Sequence, residues 1–555
     1  LSPFCVLVRV RLLKSNMMVH GLCRLETSGG NLSEKYILVN DVGTTGTRAL
    51  IYDSETNVVA EAYTELPQVF PKPGWTEQEP GVIFDKCVEV TRKALEQASL
   101  KASDIAAMGI ATQRATSMLW DADTGEPVYN FITWQDTRMS DECERINRSG
   151  PFKLLHVVGG TYQRVALLSK ALKRNPVGKM LIAAAHFTVT PAMSPAHARW
   201  TLDNIKGARE KADAGKLLFG TVDTWLVWKY TAGKVHATDF SNVSATGMFD
   251  PFGMKWSSQL LKPFGLPGGL KLPEIRETSG DFGVTELFGG PIPIKSVVAD
   301  QQAALFGEAC FEEGNVKCTN GTGTFVDINT GDSAVASIHK LTPLVAWKMG
   351  GKTTYMLEGI ISSAGSSVQF LRDNMQMIKD ASECEALAAR VADTGGVYLV
   401  PAFTGLTAPY WDPYARGTLI GLSRATTREQ VVRATLESIA YQCKDVIAAM
   451  ELDIGKKVSS IKSDGGASIN NFLMQFLADI LDMKVDRPEN LEATALGAAY
   501  FTGIAAGIWK YPDDILRIHR IEREFTPDMD TTTREALYAG WNKAVERARH
   551  WAPDS

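Results

Sequence analysis

The sequence predicts an α/β protein of two domains, each built around the same strand–turn–strand unit. Three observations carry that reading. The chain has 555 residues, long for a single hydrophobic core and ample for two. The apolar run Tyr36-Ile37-Leu38-Val39 leads into a polar tip, Asp41-Val42-Gly43-Thr44-Thr45-Gly46-Thr47, and out through Arg48-Ala49-Leu50-Ile51-Tyr52. Far downstream, Thr319-Asn320-Gly321-Thr322-Gly323-Thr324-Phe325 repeats the pattern and runs into Val326-Asp327-Ile328.

Each pair of runs reads as a hairpin. Glycine reaches positive φ at the tip, so backbone N–H groups can converge there on an anion. Two such tips suggest duplicated domains gripping one set of phosphates. Val58 to Tyr63 continues the first hairpin as a third strand. Ile294 to Ala299 is a strand that ends at Asp300, with Gln301-Gln302 behind it. Gly351-Lys352-Thr353 resembles the tail of a Walker A loop, but Ala346 stands where its first glycine belongs, so this segment reads as a turn. Thr426-Thr427-Arg428-Glu429 fits a capping box ahead of helical periodicity from Val431 to Met450. Ile461-Lys462-Ser463, the turn Asp464-Gly465-Gly466-Ala467 and a helix opening at Asn470 form a strand–glycine–helix edge of the kind that binds ligands in α/β folds. Ala495 to Trp509, rich in Gly and Ala, reads as a tightly packed buried helix.

Composition narrows the function. Hydrophobic residues make 45% and charged residues 22% of the chain, as in ordinary globular proteins. A net charge of -5 gives no basic field for a nucleic-acid backbone. No apolar run reaches the ~20 residues of a membrane span. The eight cysteines are scattered without zinc spacing and read as reduced core thiols of a cytoplasmic protein. Residues 1–35 carry Arg9, Arg11, Lys14 and Arg24 with no acid before Glu26. They read as an extension outside the folded domains: a disordered tail, a mis-assigned start or a transit peptide.

Phosphoryl transfer needs a cradle for phosphates, a divalent ion and a base for the attacking hydroxyl. Asp41 at the first tip and Asp300 at a strand end are the carboxylates placed for the last two. Further ordered blocks accompany them: Pro71-Lys72-Pro73-Gly74-Trp75, Phe219-Gly220-Thr221-Val222-Asp223-Thr224-Trp225, Asp300 to Gly307, Pro401-Ala402-Phe403-Thr404-Gly405, Ala408 to Pro413, and Gly417 through Gly421 to Glu437. With these, residues 36 to 509 resemble the FGGY carbohydrate kinases, and within them the glycerol kinases.

The resemblance implies two actin-like, ribonuclease-H-like ATPase domains with an active-site cleft between them. Residues 36–307 would carry the substrate and metal, and residues 308–545 the nucleotide. It implies ATP and Mg²⁺, a small polyol acceptor, and an assembly state that includes a homodimer among its options. Asp41 would help hold the metal; Asp300 would be the base and lie close to the metal's water shell. Gly43, Thr44, Thr45 and Arg48 would form the first phosphate loop. Thr322 and Gly323 would meet the transferring phosphate. Gly365 and Gln369 would run along the nucleotide, and Gly466 and Asn470 would hold its adenosine end. Arg114, Trp134, Gln301 and Phe325 would line the substrate pocket with Asp300.

The pocket departs from the family pattern. Glycerol kinases read Gln-Arg-Glu where this chain reads Gln113-Arg114-Ala115, and Ala192 falls where they carry a tyrosine. His197 replaces an expected lysine, and residues 157–190 are longer than the pattern. Loss of a hydrogen bond to a carboxylate and one to a neutral partner implies about 2–4 kcal/mol, or roughly 30- to 1000-fold weaker use of glycerol. The alternatives are a kinase for another polyol or sugar, and a nucleotide-binding protein without turnover that acts through protein partners.

Overall fold

The computed structural model describes residues 35–166, 175–458 and 460–552. The N-terminal extension lies outside them apart from Lys35, and the long segment at 157–190 is described except for residues 167–174.

β1 (Tyr36–Val42) and β2 (Gly46–Tyr52) pair antiparallel with Asp41 opposite Arg48, and β3 (Val58–Glu65) extends the meander. β4 (Ile105–Thr112) lies parallel to β1, and β5 (Ile292–Ala299) parallel to β4. The order is β3-β2-β1-β4-β5, with the short strand Val284–Thr285 outermost. Alternation divides these strands between two cores. Leu38, Val42 and Ile51 pack with α1 (Pro80–Ala98), whose Ile83, Cys87, Val90 and Ala94 recur at helical spacing. Ile37, Val39 and Leu50 face the other way. α2 (Asp300–Gly307) starts directly from β5.

The second sheet contains β6 (Val316–Asn320), β7 (Thr324–Gly331), β8 (Thr342–Met349), β9 (Lys352–Ile361), β10 (Ser460–Asp464), β11 (Lys484–Pro488) and β12 (Ile521–Phe525). Its order is β8-β9-β7-β6-β10-β11-β12. The five strands β9-β7-β6-β10-β11 repeat the first sheet: an antiparallel meander followed by two parallel strands. The duplication expected from the two tips is therefore a duplication of topology. Gly350 and Gly351, both at positive φ, turn β8 into β9, so Gly351-Lys352-Thr353 is the mouth of a hairpin.

The helices of the second lobe include α3 (Gly365–Asp373), α4 (Arg428–Ile454), α5 (Asn471–Leu481) and α6 (Ala493–Ala505). The capping box of α4 sits one residue later than expected. Thr427 is the N-cap, and its reciprocal partner is Gln430, not Glu429. The amide of Gln430 does what a carboxylate would do at that position. α5 starts where Asn470 accepts the Leu473 N–H at 3.0 Å.

α6 is the buried Gly/Ala helix, and it returns to pack on the first sheet. Thr502 Oγ1 lies 2.6 Å from Ser296 Oγ of β5. Against α2 the approach is backbone to backbone. A Cβ on Gly497 would lie 1.8 Å from the Ala303 carbonyl oxygen, and one on Gly307 2.1 Å from that of Ala493. These contacts fix where Asp300 stands, because it is the first residue of α2. Among the described residues no helix is long and apolar enough to cross a membrane. Six described cysteines are buried free thiols.

Gly497→Ala is expected to cost about 1–3 kcal/mol by forcing α2 and α6 apart, lowering the urea midpoint. Gly81→Ala, in the first turn of α1 where a Cβ meets nothing within 4 Å, is the control and should leave it unchanged or raise it.

Candidate active site

The parallel run β1–β4–β5 puts three strand ends on one edge, with Val42 beside Thr112 and Thr112 beside Ala299. Asp41, the Gln113-Arg114 pair and Asp300 are therefore brought together along that edge. At about 4.8 Å per strand, Asp41 and Asp300 stand roughly 10 Å apart. They sense one another. Burial lifts the Asp41 carboxyl to about 7; Arg48 pulls it down, and Glu492, Asp300 and Glu61 push it further up. Arg48 Nε lies 3.6 Å from Asp41, and its Nη1 lies 2.5 Å from Glu492.

Gln113 organises the first tip, a role the sequence reading did not give it. Its backbone N–H donates to Val42, and its side-chain amide donates to the Gly43 carbonyl at 3.2 Å and to Gln78 at 2.9 Å. Its oxygen accepts from Thr44 and Thr116. Thr44 in turn accepts the indole N–H of Trp134 at 3.0 Å, and the Thr45 carbonyl accepts from Leu66. Trp134 is 39% exposed, so it presents a ring surface beside the tip while its N–H holds the loop.

The second tip lies between β6 and β7. Gly321 N–H donates to the Gly323 carbonyl at 2.9 Å. The tip also seats α3: the Thr322 carbonyl accepts from Ala364 and Ser366, and the Gly321 carbonyl from Gly365. A Cβ on Gly365 would come within 2.5 Å of the Gly321 oxygen, and one on Gly323 within 2.5 Å of the Ile361 oxygen, so the approach admits glycine alone. Gln369 is exposed on α3. Gly466 has open space where a Cβ would point, and Asn470 spends its side-chain oxygen capping α5.

Across the second sheet one register row is charged from strand to strand: Glu358, Asp327, Lys317, Lys462 and Asp486 on β9, β7, β6, β10 and β11. Lys317 Nζ pairs with Asp327 at 2.7 Å, both fully buried, and donates to Gln301 of α2 at 2.8 Å. Lys462 donates to the Glu308 carbonyl at the end of α2. Arg114 bridges the two sheets. Its Nη1 lies 2.6 Å from Glu358, its Nε 3.3 Å from Asp300, and its guanidinium carbon 5.5 Å from the Phe325 ring centroid. Burial works against the charge on Arg114, but Glu358, Asp300 and Asp327 outweigh it and hold the group charged. Burial likewise pushes Asp464, at the end of β10, up to about 6. Neither Glu358 nor Lys317 was singled out from sequence. The available signal was a charge beside apolar residues, Glu358 after Met356-Leu357 and Lys317 between Val316 and Cys318.

The segment that departs from the pattern packs on this wall. Ala115 is buried at φ 64°, and its carbonyl accepts from Ser194 Oγ at 2.8 Å. Ala192 lies in the turn just before Ser194. His197 is buried between Ser117 Oγ, 3.0 Å from Nδ1, and the Pro191 carbonyl, 3.0 Å from Nε2. Nε2 therefore carries the proton and Nδ1 accepts. Burial pulls its pKa down to about 4.

Two lobes of repeated topology, with acids along one sheet edge and a glycine tip presented by the other sheet, define a two-domain α/β phosphotransferase. The N-terminal domain of the FGGY family of carbohydrate kinases matches residues 36–163 and 153–307, and the C-terminal domain of that family matches residues 316–506. The chain is 47% identical over 520 residues to the glycerol kinase of Petrotoga mobilis, across 93% of this chain and 99% of that one. It is 46% identical over 522 residues to the glycerol kinase of Caldanaerobacter subterraneus, across 94% and 100%. The crystal structure of Plasmodium falciparum glycerol kinase with ADP superposes at a TM-score of 0.83 with 31% identity, over 93% of this chain and 98% of that one. Gluconate kinase from Lactobacillus acidophilus shares the fold at 19% identity and a TM-score of 0.78, over 93% of this chain and 98% of that one. The chain belongs to the FGGY family of carbohydrate kinases.

A neutral buried His197 makes stability depend on pH. Its native pKa of about 4 lies below the ordinary 6.5, so the unfolded chain takes up a proton that the native chain refuses. This contribution is intact above pH 6.5 and is lost as pH falls toward 4, by about 2 kcal/mol at pH 5. His197→Gln should lose correspondingly less unfolding free energy than wild type between pH 7 and pH 5 in urea titrations.

Proposed function

We propose that the chain transfers the γ-phosphoryl group of ATP to a hydroxyl of a glycerol-like polyol, giving glycerol 3-phosphate and ADP from glycerol. The observation that carries this is the position of Asp300. It stands at the edge that Asp41 shares, in ion-pair contact with Arg114, at the side of the second lobe that bears Phe325. We propose residues 36–307 as the first lobe and 308–545 as the second, with the boundary after Gly307 at the end of α2.

The donors present fit Mg²⁺, which takes oxygen ligands and commonly one or two carboxylates beside water and phosphate. Asp41 and Asp300 are two hard oxygen donors; burial, more than its acidic neighbours, raises Asp41, and a bound cation relieves both. When bound, Mg²⁺ neutralises charge on the phosphate oxygens. The chain's residues do the rest. Arg114 donates to the substrate's oxygens, and Trp134 and Phe325 cover its carbon skeleton. The Asp300 carboxylate takes the hydroxyl proton as the oxygen–phosphorus bond forms and the bond to the β-phosphate oxygen breaks. N–H groups at Thr44, Thr45, Thr322 and Gly323 face the charge that moves, with Gly43 and Arg48 supporting the first tip. Gly365 and Gln369 border the nucleotide, and Gly466 and Asn470 border its adenosine end. Lys317 holds Gln301 in orientation toward the substrate.

Ala115 and Ala192 support a second reading, a nucleotide-binding relative without turnover. An ADP-release assay over a panel of polyols and ketoses separates the two. Asp300→Asn should lower kcat by about 10²- to 10⁴-fold while ATP still raises the melting temperature. Nucleotide binding without turnover on any alcohol favours the second reading.

The pocket's missing carboxylate gives a gain-of-function test. Ala115→Glu should lower the glycerol KM by about 10- to 100-fold, the worth of a hydrogen bond to a charged acceptor. A wild-type glycerol KM in the low micromolar range would contradict the expectation of a weakened pocket.

A further inference from the structure

We infer that Glu358, contributed by the second lobe, is a positioning residue for substrate: it holds the Arg114 guanidinium away from the base and makes productive binding of the alcohol depend on apposition of the two lobes. The inference rests on the kinase reading above and extends it to a residue of β9.

The argument begins with what Arg114 can touch. It follows β4 in the first lobe and has two anionic neighbours, Asp300 at 3.3 Å and Glu358 at 2.6 Å. A planar guanidinium with one carboxylate in reach settles on it bidentately. Were Asp300 that only partner, the fork would close over both oxygens of the proposed base, lower its basicity and occupy the place of the hydroxyl. Glu358 prevents this by drawing Nη1 to the opposite side. The shorter contact is to Glu358, so the pull is away from Asp300. Phe325, also from the second lobe, limits the tilt of the plane. Two of the three contacts that orient Arg114 therefore come from across the lobe boundary.

The placement of Glu358 is built in. It lies on β9 directly opposite Asp327 of β7, whose own charge is taken by Lys317. Asp327 is thus neutralised from its far side, and Glu358 pairs with Arg114. Its side chain is 4% exposed and that of Arg114 is 12% exposed, so water cannot substitute freely for either. Residue 115, where the resemblance to glycerol kinases implies a carboxylate, is alanine here. Glu358 is then the second acid fixing the Arg114 fork.

The test uses the purified full chain in three forms: wild type, Glu358→Gln and Glu358→Asp. Glu358→Gln keeps shape and removes charge. It should raise the KM for the alcohol by about 10-fold or more and lower kcat as well, with the KM for ATP unchanged. Glu358→Asp, which restores a carboxylate, should recover part of the loss. An unchanged alcohol KM, or equal rises in both KM values, overturns the inference while leaving the kinase reading in place. Failure of wild type to phosphorylate any alcohol overturns the kinase reading, and the inference with it. A substrate-independent arm guards against misfolded variants. Urea unfolding of Glu358→Gln, Arg114→Met and the double variant should be non-additive. Additive losses would mean the pair does not interact, and would overturn the inference whatever the kinetics show.

Discussion

A charged row crosses the second sheet where it meets the first lobe, beside apolar contacts in which Trp347 of β8 packs on Phe306 of α2. Glu358, Asp327, Lys317, Lys462 and Asp486 occupy one register across five strands, and their counterparts across the boundary are Arg114 and the Gln301 side chain. The apolar contacts hold the two lobes together, because hydrophobic burial does not exchange with water at little cost. A paired polar face can be dry when the lobes meet and hydrated when they part. A phosphotransferase needs both conditions: a dry site during transfer and an open one for exchange of substrates.

The rest of the site follows from how each sheet is built. Strands β1, β4 and β5 are parallel, so their ends share one edge and Asp41, Arg114 and Asp300 need no long loops to meet. The same topology in the second sheet brings the Gly321–Gly323 tip and the Gly465 turn to one edge, where Gly465 lies against the Asn320 backbone. Close helix–helix contact at Gly307 and Gly497 then fixes α2, and with it the proposed base at its first residue.

Much of this was legible in the sequence because it is local. Hairpin tips declare themselves by glycine between apolar runs, the Asn470 cap by an amide before an amphipathic stretch, and the Gly/Ala helix by composition. The capping box of α4 was displaced by one residue because two threonines and two long polar side chains offer two registers, and only packing chooses between them. The interlobe contacts were not legible. Glu358 and Lys317 are charges with apolar neighbours along their strands, and their meaning depends on partners at the far side of the fold. Gln113 was visible as part of a motif, yet its tie to Gly43, Thr44 and Gln78 exists only once β1 and β4 lie side by side.

The central claim is that acids from the first lobe and a glycine tip from the second converge on one metal-bound triphosphate. Electron paramagnetic resonance of Mn²⁺, with a non-hydrolysable ATP analogue, tests it most directly. The account predicts tight Mn²⁺ binding only when the nucleotide is present, weakened about 10-fold or more by Asp41→Asn and by Asp300→Asn separately. Equal Mn²⁺ affinity in wild type and in the double variant would contradict it.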